Sequence, residues 1–105
     1  MNITTNPSSF EWDEDKRTKA LEKHGIDFAD AVGVFDRETL VAPSKHGNEE
    51  RWVAIGLLEG IEIAVILTMR SDVCRIITAR RARRYEREIY QARYPGGGSQ
   101  AQGPD

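Results

Sequence analysis

The run Arg75-Ile76-Ile77-Thr78-Ala79-Arg80-Arg81-Ala82-Arg83-Arg84-Tyr85-Glu86-Arg87 carries a β-branched stretch directly into a cluster of guanidinium groups. Residues 80–94 hold six arginines, at 80, 81, 83, 84, 87 and 93, against Glu86 and Glu88, a formal charge of +4. Arginine presents a planar fork of donors that matches phosphate oxygens, so this density suits a phosphate-bearing partner. The competing reading is a solvated helix face. A second set of cations precedes it: Trp12, Lys16, Lys19 and Lys23 recur at i, i+4, i+7 and i+11, which lines an aromatic and three ammonium groups along one side of a helix. His24 follows at the helix end, where the dipole favours an imidazolium and proton exchange near neutrality is available. Capping the last carbonyls is the alternative employment for His24.

Other chemistries are poorly served. His24 and His46 lie 22 positions apart, without paired-cysteine or His-x-x-x-His spacing, so no metal site is expected. Asp13, Glu14 and Asp15 read as the acidic first turn of a helix rather than as ligands. Gly96-Gly97-Gly98 neither follows a strand nor opens a helix, which excludes a phosphate cradle of the P-loop kind, and Gly-x-Ser-x-Gly does not occur. What remains is phosphodiester chemistry on RNA, in which the substrate's 2′-OH attacks phosphorus and fixed cationic donors stabilise the pentavalent phosphate. That reading requires a cation-rich concavity where the opening helix meets the closing strand. Around it, Tyr85 is expected half-buried with its hydroxyl at the cleft edge. His46 is expected in a polar loop, and Glu50 and Arg51 open a strand as a surface pair or project into the cleft.

Composition bounds the scaffold. The 105 residues fit one domain, with a flexible segment over 1–9, a folded unit over 10–94 and a disordered tail over 95–105 that has almost nothing to bury. The net charge of −2 hides an asymmetry: residues 1–50 carry six basic and eleven acidic side chains, residues 51–105 nine and six, all nine of them arginine. Cys74 is alone, so an internal disulfide is excluded and a buried, inert thiol is expected. No signal peptide is evident and no apolar run approaches the ~18 residues that span a bilayer, so a cytoplasmic location without membrane contact is expected.

The elements that must position these residues follow from punctuation and periodicity. Phe10-Glu11-Trp12 reads as a short extended piece, then Asp13 as the N-cap of a helix that reaches His24 and ends at Gly25. Asp27 caps a second helix whose Phe28, Ala31, Val32 and Phe35 form a core stripe, with Ile26 and Ala31 as a staple. Runs 51–58 and 61–69 form a hairpin across Glu59-Gly60, and 73–79 continues the meander. Residues 36–50 read as polar connection with a short strand at 39–42. A last helix over 80–94 docks through Ala82, Tyr85, Ile89 and Ala92, with Arg80, Arg84 and Arg87 on another stripe. The expected class is α+β, with two N-terminal helices packed on an antiparallel sheet meander and an arginine-rich helix at the C-terminus.

Taken in order, Phe10-Glu11-Trp12-Asp13, Lys16, Lys23-His24-Gly25, the 28–35 helix, Glu50-Arg51, Thr68-x-Arg70 and Arg75-Ile76-Ile77-Thr78-Ala79-Arg80-Arg81-Ala82 with Glu86 and Tyr90 resemble the BrnT toxin family over roughly residues 10–90. The resemblance implies a RelE-like fold and ribonuclease activity that blocks translation; with no metal-ligand spacing in the chain, the leading expectation is a metal-independent endoribonuclease without cofactor. The resemblance also implies a cognate BrnA-type antitoxin with a ribbon-helix-helix domain, through which the pair contacts promoter DNA. Ala20 stands where family members commonly carry Asn. Carried onto this chain, the site falls to Lys23, His24, Arg51, Arg70, Arg80 and Arg81, with Lys16, Arg84 and Arg87 binding substrate. In this assignment Lys23, Arg70 and Arg80 hold phosphate, Arg81 offsets transition-state charge and His24 transfers a proton. The alternative function is a non-catalytic module that docks nucleic acid or protein on the arginine helix.

Overall fold

Capping chemistry sets the first elements. The computed structural model describes residues 9–46 and 49–96, without the side chains of Lys45, His46 and Glu49. Strand β1 (Ser9–Trp12) gives way to Asp13, whose carboxylate accepts from the Asp15 and Lys16 N–H groups at 2.8 and 3.3 Å and starts α1 (Glu14–His24). Gly25 takes the left-handed conformation (φ 73°) that ends the helix. Asp27 accepts from the Ala29 N–H at 3.0 Å and starts α2 (Phe28–Ala31). The same carboxylate receives Nε and Nη2 of Arg17 at 2.7 and 3.0 Å, fixing α1 against the start of α2. From Val32 to Asp36 the backbone tightens into a 3₁₀ turn. Three residues per turn replace 3.6, so Val34 joins Phe28, Ala31 and Phe35 in the core, while Val32, expected there, is only partly buried.

Four further strands, β2 (Leu40–His46), β3 (Glu49–Leu58), β4 (Ile61–Arg70) and β5 (Val73–Arg81), form one sheet with β1 in the order β1-β5-β4-β3-β2. The expected short strand near 39–42 is longer, so His46 ends β2 instead of lying in a loop; its side chain falls outside the described residues. Pro43 is tolerated because β2 is an edge strand. The expected all-antiparallel sheet is also corrected. A strand comes first among the described elements, and β1 pairs parallel to β5, with Trp12 opposite Ile76. Phe10 and Trp12 explain this placement by packing on Phe35 and Phe28, at ring separations of 5.6 and 6.0 Å. Glu59 and Gly60 both take positive φ in a two-residue hairpin between Leu58 and Ile61. The flexible and disordered ends expected at 1–9 and 95–105 lie outside the described residues except for Ser9, Pro95 and Gly96.

The main core lies between α1, α2 and the 3₁₀ turn on one side and Ala54, Ile63, Val65, Leu67, Cys74, Ile76 and Ala79 of the sheet on the other. Burial pushes the Cys74 thiol up to about 12, so it stays protonated and inert. On the opposite face, α3 (Arg84–Arg93) seats Tyr90 against Ile55 and Ala82. Tyr90 and Tyr94 donate their hydroxyls to the carbonyls of Glu38 and Thr39. One sheet face is therefore covered by the early helices; the other, among the described residues, is covered only where α3 crosses it.

The last helix starts later than its arginine run suggests. Arg80 and Arg81 remain in β5, paired with Ala64 and Ile63, and Arg83 is the extended residue that precedes the first turn. Glu86, at the third helical position, accepts from the Arg83 N–H at 2.7 Å. This phase turns Glu86 and Tyr90 toward the sheet. Tyr85, Ile89 and Ala92, expected as docking residues, are exposed, Tyr85 by 55% and Ile89 by 51%.

Candidate active site

Alternation along the strands decides where each cation points. Phe10, Trp12, Cys74 and Ile76 face the main core, so Glu11 and Arg75, between them, face the other side. There Arg75 Nη1 donates to Glu11 at 3.0 Å. Arg75 lies opposite Thr68 of β4, and Thr68, whose hydroxyl donates to the Glu50 carbonyl at 3.0 Å, continues the register to Arg51 of β3. Ser44 of β2 pairs with Arg51. With strands ~4.8 Å apart, Arg51 and Arg75 stand about 10 Å from each other on one face, and Arg70 sits two residues, about 7 Å, along β4 from Thr68. Arg70 is exposed and makes no ion pair among the described residues. This half of the face is open.

A β-bulge governs the rest of β5. Leu67 pairs with Ile76 and Ile66 with Thr78, which leaves Ile77 as an extra residue. Without it, strict alternation from Ile76 would send Arg80 toward the helices and Arg81 to the open face. The inserted residue reverses both. Arg80 consequently shares the face of Arg51, Arg70 and Arg75, where it lines a cleft of about 250 Å³ with Leu40, Val53, Ile66, Arg83, Tyr85 and Ile89. Its two terminal nitrogens donate to the two Glu86 oxygens at 2.8 and 3.0 Å. Burial pushes the Glu86 carboxyl upward, but the Arg80 hydrogen bond, the Arg83 N–H and the charges of both arginines more than reverse this and hold it below its ordinary range. The Glu86 hydrogen bond raises the Arg80 guanidinium correspondingly. Through this pair Arg80 clamps α3 to β5.

The expected concavity joining the opening helix to the closing arginines does not form. Lys16, Lys19, Lys23 and His24 line a groove of about 290 Å³ with Ala20, Ile77 and Thr78, on the helix side of the sheet. Arg81, exposed and on the face of Ala79, belongs to that side. The sheet separates this group from Arg51, Arg70 and Arg80. Trp12 leaves the lysine stripe altogether, since it precedes α1, packs on Phe28 and donates to Glu14. Of the helix arginines, Arg84 pairs with Glu88 one turn on at 3.2 Å, and Arg87 donates to the Ala82 carbonyl at 2.7 Å. Sequence reasoning missed Glu11 and Arg75. Their signal was present: each is the polar residue between two apolar ones in its strand. Among the described residues no three His, Cys, Asp or Glu side chains come together as a metal-holding group, and no helix is long and apolar enough to cross a membrane.

Against known families, residues 12–86 match the family described as "Ribonuclease toxin, BrnT, of type II toxin-antitoxin system". The chain belongs to the BrnT family. The fold agrees: the 1.1 Å crystal structure of the Brucella abortus ribonuclease toxin BrnT is 36% identical, covers 72% of this chain and 97% of its own, and superposes with a TM-score of 0.59. No curated protein sequence matches. Family membership makes this a ribonuclease toxin of a type II toxin–antitoxin system, a class that works with an antitoxin partner and an RNA target. In this BrnT chain the arginine-bearing open face and the lysine groove are two distinct cationic surfaces.

Proposed function

We propose that this BrnT chain is an endoribonuclease that cleaves RNA on the open sheet face, without a metal ion, and thereby arrests translation. Supporting the reading is the match of residues 12–86 to a ribonuclease toxin family, joined to a face on which three β-strands present Arg51, Arg75 and Arg70 around Thr68. The arginines hold the scissile phosphate and offset the charge that builds on its equatorial oxygens. The ribose 2′-oxygen forms the new bond to phosphorus as the bond to the 5′-oxygen breaks; Glu11, the carboxylate inside the cluster, accepts the 2′-OH proton, and water protonates the departing 5′-oxygen. A BrnA-type ribbon-helix-helix antitoxin is the proposed inhibitor and the part of the pair that contacts promoter DNA, all in the cytoplasm, on a RelE-like scaffold.

Incubating the purified protein with end-labelled RNA in EDTA tests this. Cleavage that persists in EDTA and is lost in Arg70→Ala is the expected result. RNA retained intact would instead favour a binding module, and cleavage that requires an added divalent ion would overturn the metal-free mechanism.

A further inference from the structure

The lysine groove lies on the helix side of the sheet, away from the arginine face, and its position along β5 is informative. β1 pairs with β5 only from Val73 to Ile76, because Asp13 turns the chain into α1 immediately afterwards. From Ile77 to Arg81 the outer edge of β5 has no strand beside it among the described residues. An unpaired edge of this kind is a template for another extended chain. The other long edge, on β2, is interrupted by Pro43, which blunts it.

Charge defines what the β5 edge admits. Lys16, Lys19 and Lys23 stand over Ile77 and Thr78, and Arg81 extends the positive row at the strand end. None of these four makes an ion pair among the described residues. A second copy of this chain would bring lysines against lysines, so the row excludes self-pairing and selects a strand that carries carboxylates. The dimensions agree: Lys16 to His24 spans about 12 Å of helix, and Ile77 to Arg81 about 13 Å of strand, room for four or five extended residues. RNA would use the ammonium groups but leave the backbone edge unpaired.

The geometry points to this edge as a docking site for an extended acidic segment of the protein antitoxin, which adds a sixth strand beside β5 while its carboxylates meet Lys16, Lys19, Lys23 and Arg81. The inference rests on the proposed antitoxin partnership and places that contact across the sheet from the arginine face.

The protein is co-expressed with the proposed BrnA-type antitoxin, and amide hydrogen exchange is compared for the free and complexed chain. The outward amides of residues 77–81 should slow at least tenfold in the complex, and K16E/K19E/K23E should weaken assembly at least tenfold while circular dichroism remains unchanged. Lys23→Arg, which keeps the charge, should assemble normally. A complex that forms with residues 77–81 still exchanging freely, or that tolerates the triple reversal, overturns the edge site alone. Protection of 77–81 by an RNA oligonucleotide rather than by the antitoxin also overturns it. Failure of the unaltered chain to bind the antitoxin overturns the partnership and the edge site together, whereas RNA cleavage is scored independently in the EDTA assay.

Discussion

Arg80 and Glu86 face each other through two parallel hydrogen bonds, 2.8 and 3.0 Å long, with side-chain exposures of 17% and 5%, and so bolt the last strand to the last helix. Removing one partner of a buried pair strands the other charge. Arg80→Ala should therefore cost about 3 kcal/mol of stability, seen as a lower denaturation midpoint in urea. Any loss of toxicity in this variant should track loss of folded protein.

Arg70 gives the contrasting case. Exposed and unpaired among the described residues, it can be truncated with little structural penalty. Arg70→Ala should leave the melting temperature within a degree or two and reduce RNA cleavage about a hundredfold, the scale expected when one donor to a charge-bearing transition state is lost. His24→Ala, across the sheet, should retain cleavage. Equal loss in both variants would return His24 to the site.

Acid should weaken the fold through Glu86 and Asp27. The Arg17 hydrogen bond, then the Ala29 N–H, hold the Asp27 carboxyl below its ordinary value, and Glu86 is held down as described. Both folded-state values lie below the unfolded ones, so the unfolded chain binds more protons in the interval. Their contribution is complete above the unfolded carboxyl values of ~4 and is lost as pH falls further. Melting temperatures should be level from pH 7 to 5 and fall steeply below 4, with a shallower fall in Glu86→Gln.

Gly56 meets the 3₁₀ turn at close quarters, where a Cβ would stand 2.7 Å from Val34 Cβ. Both backbones would have to separate. Gly56→Ala should destabilise by about 2 kcal/mol, measured as a shifted urea midpoint with unchanged slope.

Glu59 holds φ 53° in the β3–β4 turn, a conformation Asn tolerates better. Glu59→Asn should raise stability by about 0.5–1 kcal/mol and the melting temperature by a few degrees.

Much of the scaffold was readable because its signals are local. Asp13, Gly25 and Asp27 place helix ends within one turn of themselves, and the β-branched runs at 51–58, 61–69 and 73–79 announce strands whatever they pair with. The parallel pairing of β1 was not readable, since only the Phe10 and Trp12 contacts with Phe35 and Phe28 select it. Nor was the start of α3 at Arg84: arginine is an acceptable helix former, and pairing of Arg80 and Arg81 with β4 outweighs that local preference.

By itself the sequence determined which residues were cations, where the first helix, the β3–β4 hairpin and the start of β5 lie, and, through ordered motifs, the family. Which cations share a surface was decided by tertiary structure. A strand sends successive side chains to opposite faces, so the single extra residue Ile77 exchanges the destinations of Arg80 and Arg81, and only the register against Ile66 and Leu67 reveals it. Lys23 and Arg70, each at home in a cationic motif, end on opposite sides of the sheet because the core fixes one face for the helices and leaves the other open.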